Sequence, residues 1–143
     1  MKQRTTVALK NDLAELERLS GLVEQFGKRH GLSTTALFDL HLALDEILTN
    51  LVSYGYDDQN DHEIIVRLAL WGDGKVQRIE VEVEDDGRPF NPLEAERPDV
   101  NASVDDRPIG GLGIYLVRRV MDDLEYRRQR GKNVLVMRKT VDG

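Results

Sequence analysis

From Ser33 to Gly55 the chain reads STTALFDLHLALDEILTNLVSYG, with Leu37, Leu40, Leu44, Leu48 and Leu51 recurring at steps of three and four residues. That is the period of an amphipathic helix, and at about 100° per residue the leucines fall in one narrow stripe. Asp39, Ala43, Glu46 and Asn50 fall on nearly the opposite side. Glu46 and Asn50, at i and i+4, stand one above the other there. Taken alone, that pair is most simply a solvated helix face.

The flanking patterns place the remaining elements. Residues 5–9 alternate partly and predict a first strand. Asp12, with Glu15 three positions on, looks like a capping box. Leu13, Leu16, Leu19, Leu22, Val23 and Phe26 then carry helical spacing to about residue 28. Gly27 and Gly31 are expected to end that helix, and Ser33 or Thr34 to cap the next. Residues 62–70 and 76–84, the second with Ile79, Val81 and Val83 in strict alternation, predict a hairpin reversing at Gly72–Asp73–Gly74. A long stretch from 85 to 113, with four prolines and four glycines, is expected to be a mobile loop of functional kind. A short helix over 114–121 and a closing hairpin, 124–130 and 133–140, complete the chain. The order β, α, α, β, β, loop, α, β, β implies an α+β protein, a two-layer α/β sandwich with a mostly antiparallel sheet and helices on one face.

Composition narrows the classes. One domain over residues 1–143 suits the length, and 40% hydrophobic with 32% charged residues is ordinary for a globular protein. No apolar run reaches the length of a membrane span, the first residues lack the core of a signal peptide, and no cysteine is present, so a cytoplasmic, non-membrane protein is expected. A net charge of −6 argues against direct nucleic-acid binding. Arg127, Arg128 and Arg130 form a small basic cluster, read as a charged strand edge.

Three stretches carry candidate chemistry. Glu46-x-x-x-Asn50 puts a carboxylate and a carboxamide on one helix face. Asp85, in VEDDGRPF, stands where a strand meets Gly87, so a ligand could reach the backbone closely while the carboxylate accepts a hydrogen bond. Gly110, Gly111 and Gly113 open a helix, whose free N–H groups and dipole suit an anion. Each is weak by itself. Dinucleotide and P-loop signatures are absent, His30, His41 and His62 lack metal-ligand spacing, Ser20, Ser33, Ser53 and Ser103 sit in no nucleophile-elbow context, and Trp71 and Tyr115 read as ordinary core or surface aromatics.

In this order and spacing, LDEILTNLVSYGY, EDDGRPFNP and GGLGIYLVRRVMDDLEY resemble the GHKL (Bergerat-fold) ATP-binding family, most closely its stand-alone anti-sigma factor serine/threonine kinases. The resemblance implies ATP and Mg²⁺ as cofactors. It makes Asn50 the residue that holds Mg²⁺ against the phosphates, Glu46 the general base, and Asp85 the acceptor of the adenine amine. Gly87 would lie in the adenine wall, with Gly110, Gly111 and Gly113 at the phosphates. Two positions depart from the family pattern: Tyr54-Gly55 stands where His-Gly is common, and Pro89 replaces a second glycine after Asp85.

The function implied is phosphorylation of a Ser or Thr on a STAS-domain anti-sigma factor antagonist, together with sequestration of a sigma factor, by a homodimer. The alternative from another class is a non-catalytic ATP-binding module that controls partner exchange. Glu46 separates the two, being needed for transfer and dispensable for binding. A sensor histidine kinase piece is disfavoured, since no phosphoacceptor helix pair fits in this length.

Overall fold

The structure, a computed structural model, describes residues 3–56, 58, 60–73, 76–91 and 111–142. Along them the chain runs β1 (Gln3–Lys10), α1 (Glu15–His30), α2 (Thr34–Tyr54), β2 (Glu63–Asp73), β3 (Val76–Asp85), α3 (Gly111–Val120), β4 (Asp123–Gln129) and β5 (Lys132–Asp142). The expected element order stands. Most of the expected long loop, with Gly110, lies outside the described residues.

The strands form one sheet in the order β1-β2-β3-β5-β4, and every neighbouring pair is antiparallel. Alternation along β3 decides which face is covered. Ile79, Val81 and Val83 are buried beneath the helices, in one core with Leu19, Phe26, Leu40, Leu44, Leu48 and Val117. On the opposite face Glu80, Glu82 and Glu84 meet basic partners. Arg67 lies 2.6 Å from Glu82, Arg138 reaches Glu80 at 3.2 Å and Asp123 at 2.8 Å, and Arg127 reaches Glu82 at 3.4 Å. Pairs this exposed contribute about 0.2–1 kcal/mol each, so the apolar face carries the stability.

Several local expectations change. Gly27 lies inside α1, and only Gly31, at φ 67°, ends it. The reason is packing: a Cβ on Gly27 would sit 2.4 Å from Leu37 Cδ2, so glycine is what lets α2 approach α1. At the start of α1 there is no reciprocal capping box. Asp12 Oδ1 accepts from the Ala14 N–H, while Glu15 reaches back to the Lys10 N–H. Ser33 does cap α2, its Oγ accepting from the Ala36 N–H at 3.1 Å. The β4–β5 reversal falls at Arg130–Gly131, both at positive φ (54° and 75°), one residue before the expected place. Strand β2 runs on to Asp73, paired with Val76, so Gly72 and Asp73 belong to the strand rather than to the reversal expected at Gly72–Asp73–Gly74.

The largest revision concerns α2. Its buried arc is Ala36, Leu40, Ala43, Leu44, Ile47 and Leu48, while Leu37 and Leu51 are only half-buried. The side opposite the leucines is therefore not a solvated face: Ala43 is 1% exposed, and α3 packs against α2. Asp39, on that side, pairs with Lys139 of β5 at 3.0 Å, and Lys139 also donates to the Val120 carbonyl at the end of α3.

Candidate functional site

One end of the inner sheet face is polar where the rest is apolar. Strand register sets Asp85 of β3 opposite Asn133 of β5, and Asn133 opposite Arg128 of β4. The next inward row is Val83, Leu135 and Tyr126. The C-terminal half of α2 and the start of α3 lie over these rows. Between them is a cavity of about 140 Å³ lined by Ile47, Asn50, Leu51, Tyr54, Val83, Asp85, Phe90, Ile114 and Leu135, among others. An apolar cleft with a few placed polar groups is the usual form of a small-molecule site.

Asp85 is the buried carboxylate of this cavity, 7% exposed. Its Oδ1 accepts from the Gly87 N–H (2.8 Å) and from Asn133 Nδ2 (3.0 Å), which leaves Oδ2 as the acceptor for a ligand. Burial raises its carboxyl above the ordinary carboxylate range, and the bonds from Asn133 and Gly87 pull it partly back. The following turn is held closely. The Gly55 carbonyl, at the end of α2, accepts from the Arg88 N–H at 2.9 Å, and a Cβ on Gly87 would lie 2.4 Å from that carbonyl oxygen and 2.9 Å from Asp85 Oδ1. Since the first obstacle is backbone, no rotamer relieves it. Gly87→Ala should therefore shift this turn and cost about 1–3 kcal/mol of stability, with weakened ligand binding, read from thermal unfolding and calorimetry together.

The neighbouring Asp86 is engaged elsewhere. It accepts from His62 Nδ1 at 3.0 Å, while His62 Nε2 meets Asp58 at 2.7 Å and the ring stacks on Tyr56. The bond to Asp58, with the charges of both carboxylates, holds the imidazole above its ordinary range. Burial, with the charges of Asp85 and Asp86 behind it, pushes the Tyr56 hydroxyl up.

The Glu46 and Asn50 side chains converge on the start of α3. A Cβ on Gly113 would lie 2.5 Å from Glu46 Oε2 and 3.3 Å from Asn50 Nδ2, so the glycine allows the helix to settle on this pair. Asn50 Nδ2 is buried and has no hydrogen-bond partner. An orphaned buried amide costs about 1–3 kcal/mol, and one beside an open cavity is the kind of group a ligand completes. Among the described residues no three His, Asp or Glu side chains gather to hold a metal. A divalent ion here would rely on the Asn50 amide oxygen, with phosphate oxygens and waters completing it, which is the sparse protein ligation Mg²⁺ accepts.

Of the residues expected to act, Glu46, Asn50 and Gly113 come together, and Asp85, which accepts from the Gly87 N–H, lines the same cavity as Asn50. Gly111 begins α3, and Gly110 lies outside the described residues. Asn133, Arg128, Tyr126, Tyr54 and Phe90 were not anticipated. Arg128 is not the edge decoration expected of it: its Nη1 turns to the Gly87 carbonyl (2.8 Å) and Asn133 Oδ1 (3.1 Å). The available signal was register, since pairing the two hairpins sets Asn133 beside Asp85.

Comparison with known proteins identifies the family. Residues 9–139 match the histidine kinase-like ATPase domain family. The serine-protein kinase RsbW of Listeria monocytogenes is 32% identical over 143 residues, covering 95% of this chain and 87% of that protein. That of Bacillus velezensis is 32% identical over 120 residues, covering 80% and 71%. The crystal structure of the RsbU and RsbW domains of a Mycobacterium tuberculosis protein superposes with a TM-score of 0.67 at 16% identity, covering 96% of this chain and 32% of that one, which shows the shared fold. The chain thus belongs to the histidine kinase-like ATPase (GHKL) domain family, in its branch of serine-protein kinases.

Proposed function

We propose that the protein transfers the γ-phosphoryl group of ATP to a Ser or Thr hydroxyl of a small STAS-domain antagonist of an anti-sigma factor, and that it also sequesters a sigma factor. The observation that supports this reading most is the meeting of Glu46, the unpartnered amide of Asn50 and Gly113 beside the cavity that Asp85 lines. Phosphoryl transfer asks mainly for positioning and charge neutralisation. Adenine would sit between the Asp85 turn and the apolar walls, its amine donating to Oδ2. Asn50 would hold Mg²⁺, which would supply neutralisation of the phosphate charge. Glu46, one helical turn before Asn50, would orient the partner's hydroxyl and accept its proton. The partners, a homodimeric state and a cytoplasmic site of action are taken from the resemblance to the anti-sigma kinases. Incubation with radiolabelled ATP, Mg²⁺ and a purified STAS-domain antagonist tests the reading, since it requires label on a serine or threonine of the partner.

The adenine role of Asp85 makes a separate prediction. Asp85→Asn keeps an oxygen for the Gly87 and Asn133 donors but turns the other position into an NH₂ that faces the adenine amine, donor against donor. ATP affinity should fall by about 1–3 kcal/mol. Equal affinities for wild type and variant by calorimetry would remove the assignment.

A further inference from the structure

Asn133 has no hydrogen-bonding capacity left for a ligand. Its Nδ2 donates to Asp85 Oδ1 (3.0 Å) and to the Arg88 carbonyl (2.9 Å). Its Oδ1 accepts from the Tyr126 hydroxyl and from Arg128 Nη1 (3.1 Å). A carboxamide offers two donors and two acceptor positions, so all four are used within the protein. The residue is 6% exposed, at the floor of the cavity. We propose that Asn133, braced by Tyr126 and Arg128, is a positioning residue for nucleotide binding: it occupies Asp85 Oδ1 and so fixes which carboxylate oxygen is presented to the base. This rests on the adenine reading of Asp85 given above.

The chemistry explains why an amide stands here. The position must donate to a carboxylate and to a backbone carbonyl at once, while accepting from a phenol and a guanidinium. Serine and threonine have one donor, and an aspartate has none at neutral pH. Glutamine carries the same groups one methylene too far for a cross-strand neighbour. Arg128 extends the brace, because the same Nη1 that bonds Asn133 also bonds the Gly87 carbonyl. The two residues thereby hold both the carboxylate and the turn that follows it. Among the described residues, the charged and titratable groups around Asp85 are Asp86, Tyr56 and Arg128, with Arg88 lining the same cavity, His62 bonded to Asp86 and the Tyr126 hydroxyl bonded to Asn133.

Asn133→Asp makes the test charge-specific. The variant sets two carboxylates at hydrogen-bond distance, and such a pair holds one proton to well above the usual range. At alkaline pH both are ionised, Asp85 is driven out of place, and ATP binding should be about tenfold weaker than wild type or worse. As pH falls one proton enters the pair, an O–H···O bond replaces the lost N–H···O, and affinity should rise. Wild type has no such pair, so its affinity should not rise as pH falls. A merely structural asparagine would change the melting temperature without giving Asn133→Asp a loss of affinity that recovers as pH falls.

The experiment is calorimetric ATP binding by wild type, Asp85→Asn, Asn133→Asp and Tyr126→Phe between about pH 9 and pH 6. The expected result is affinity that recovers as pH falls in Asn133→Asp but not in wild type, with a smaller loss and a wild-type profile for Tyr126→Phe. Wild-type affinity in Asn133→Asp, or a profile merely scaled down, overturns the proposal while leaving Asp85 as the adenine acceptor. Where Asn133→Asp does not fold, Tyr126→Phe and Arg128→Met carry the test, and unchanged affinity in both overturns it. Unchanged affinity in Asp85→Asn removes the adenine reading, and the positioning role falls with it.

Discussion

Glu46→Gln should bind ATP and protein partners about as wild type does and transfer phosphate on the order of 10²–10⁴-fold more slowly. The substitution keeps the length and hydrogen-bonding reach of the side chain and removes only its ability to take a proton at neutral pH. Asn50, one turn further along α2, is untouched, so the metal ligand stays in place. Asn50→Ala should behave differently. It removes both the amide oxygen proposed to hold Mg²⁺ and the Nδ2 donor that is buried without a partner, so the loss should fall on Mg²⁺-dependent nucleotide affinity itself. Single-turnover transfer to the antagonist, measured beside calorimetric ATP binding, separates the two variants. Wild-type transfer by Glu46→Gln would mean that the base is elsewhere or not needed. Absence of transfer by wild type and variant alike, with ATP bound in both, would favour a module that uses nucleotide to control partner exchange.

How far the fold was legible depended on whether a local pattern could report the packing. In β3 it could: Ile79, Val81 and Val83 lie under the helices because a strand's side chains must alternate. In α2 the leucines marked a real apolar side but not the full buried arc. Small residues such as Ala36 and Ala43 are buried because another element comes close, which periodicity of large side chains does not register. Gly27 misled for the same reason, reading as a helix end when it is a contact with Leu37. The candidate residues Glu46, Asn50, Asp85, Gly87 and Gly113 come from short stretches whose order and spacing resemble a known family, and the structure brings Glu46, Asn50 and Gly113 together and sets Asn50 and Asp85 on one cavity. Asn133 and Arg128 were not anticipated, since each acts through a cross-strand neighbour remote in sequence. Arg128 in particular looked like its neighbours Arg127 and Arg130, and only the sheet's two faces distinguish it: Arg127 pairs outward with Glu82, while Arg128 turns in to Gly87 and Asn133.

Gly113→Ala should slow phosphate transfer by about 10²-fold while leaving the fold as stable as before or slightly more so. The added Cβ would stand 2.5 Å from Glu46 Oε2, too close for any real contact, and 3.3 Å from Asn50 Nδ2, a tight but tolerable one. Because the nearest atom is the end of a flexible side chain, the Glu46 carboxylate gives way, by about 1 Å, and the backbone of α3 need not move. Displacement on that scale is enough to cost about two orders of magnitude in a reaction that depends on positioning. The stability side runs the other way, since alanine is favoured over glycine in a helix by up to about 1 kcal/mol, and less near the first turn. A variant that melts no earlier, binds ATP normally and turns over slowly is thus the expected outcome. Combining it with Glu46→Gln gives the sharper check: if the alanine acts by moving that carboxylate, it should add little once the carboxylate is gone, so the two effects should be strongly non-additive. Full additivity would place the action of Gly113 elsewhere, and loss of ATP binding in Gly113→Ala alone would point to its backbone as a contact of the phosphates.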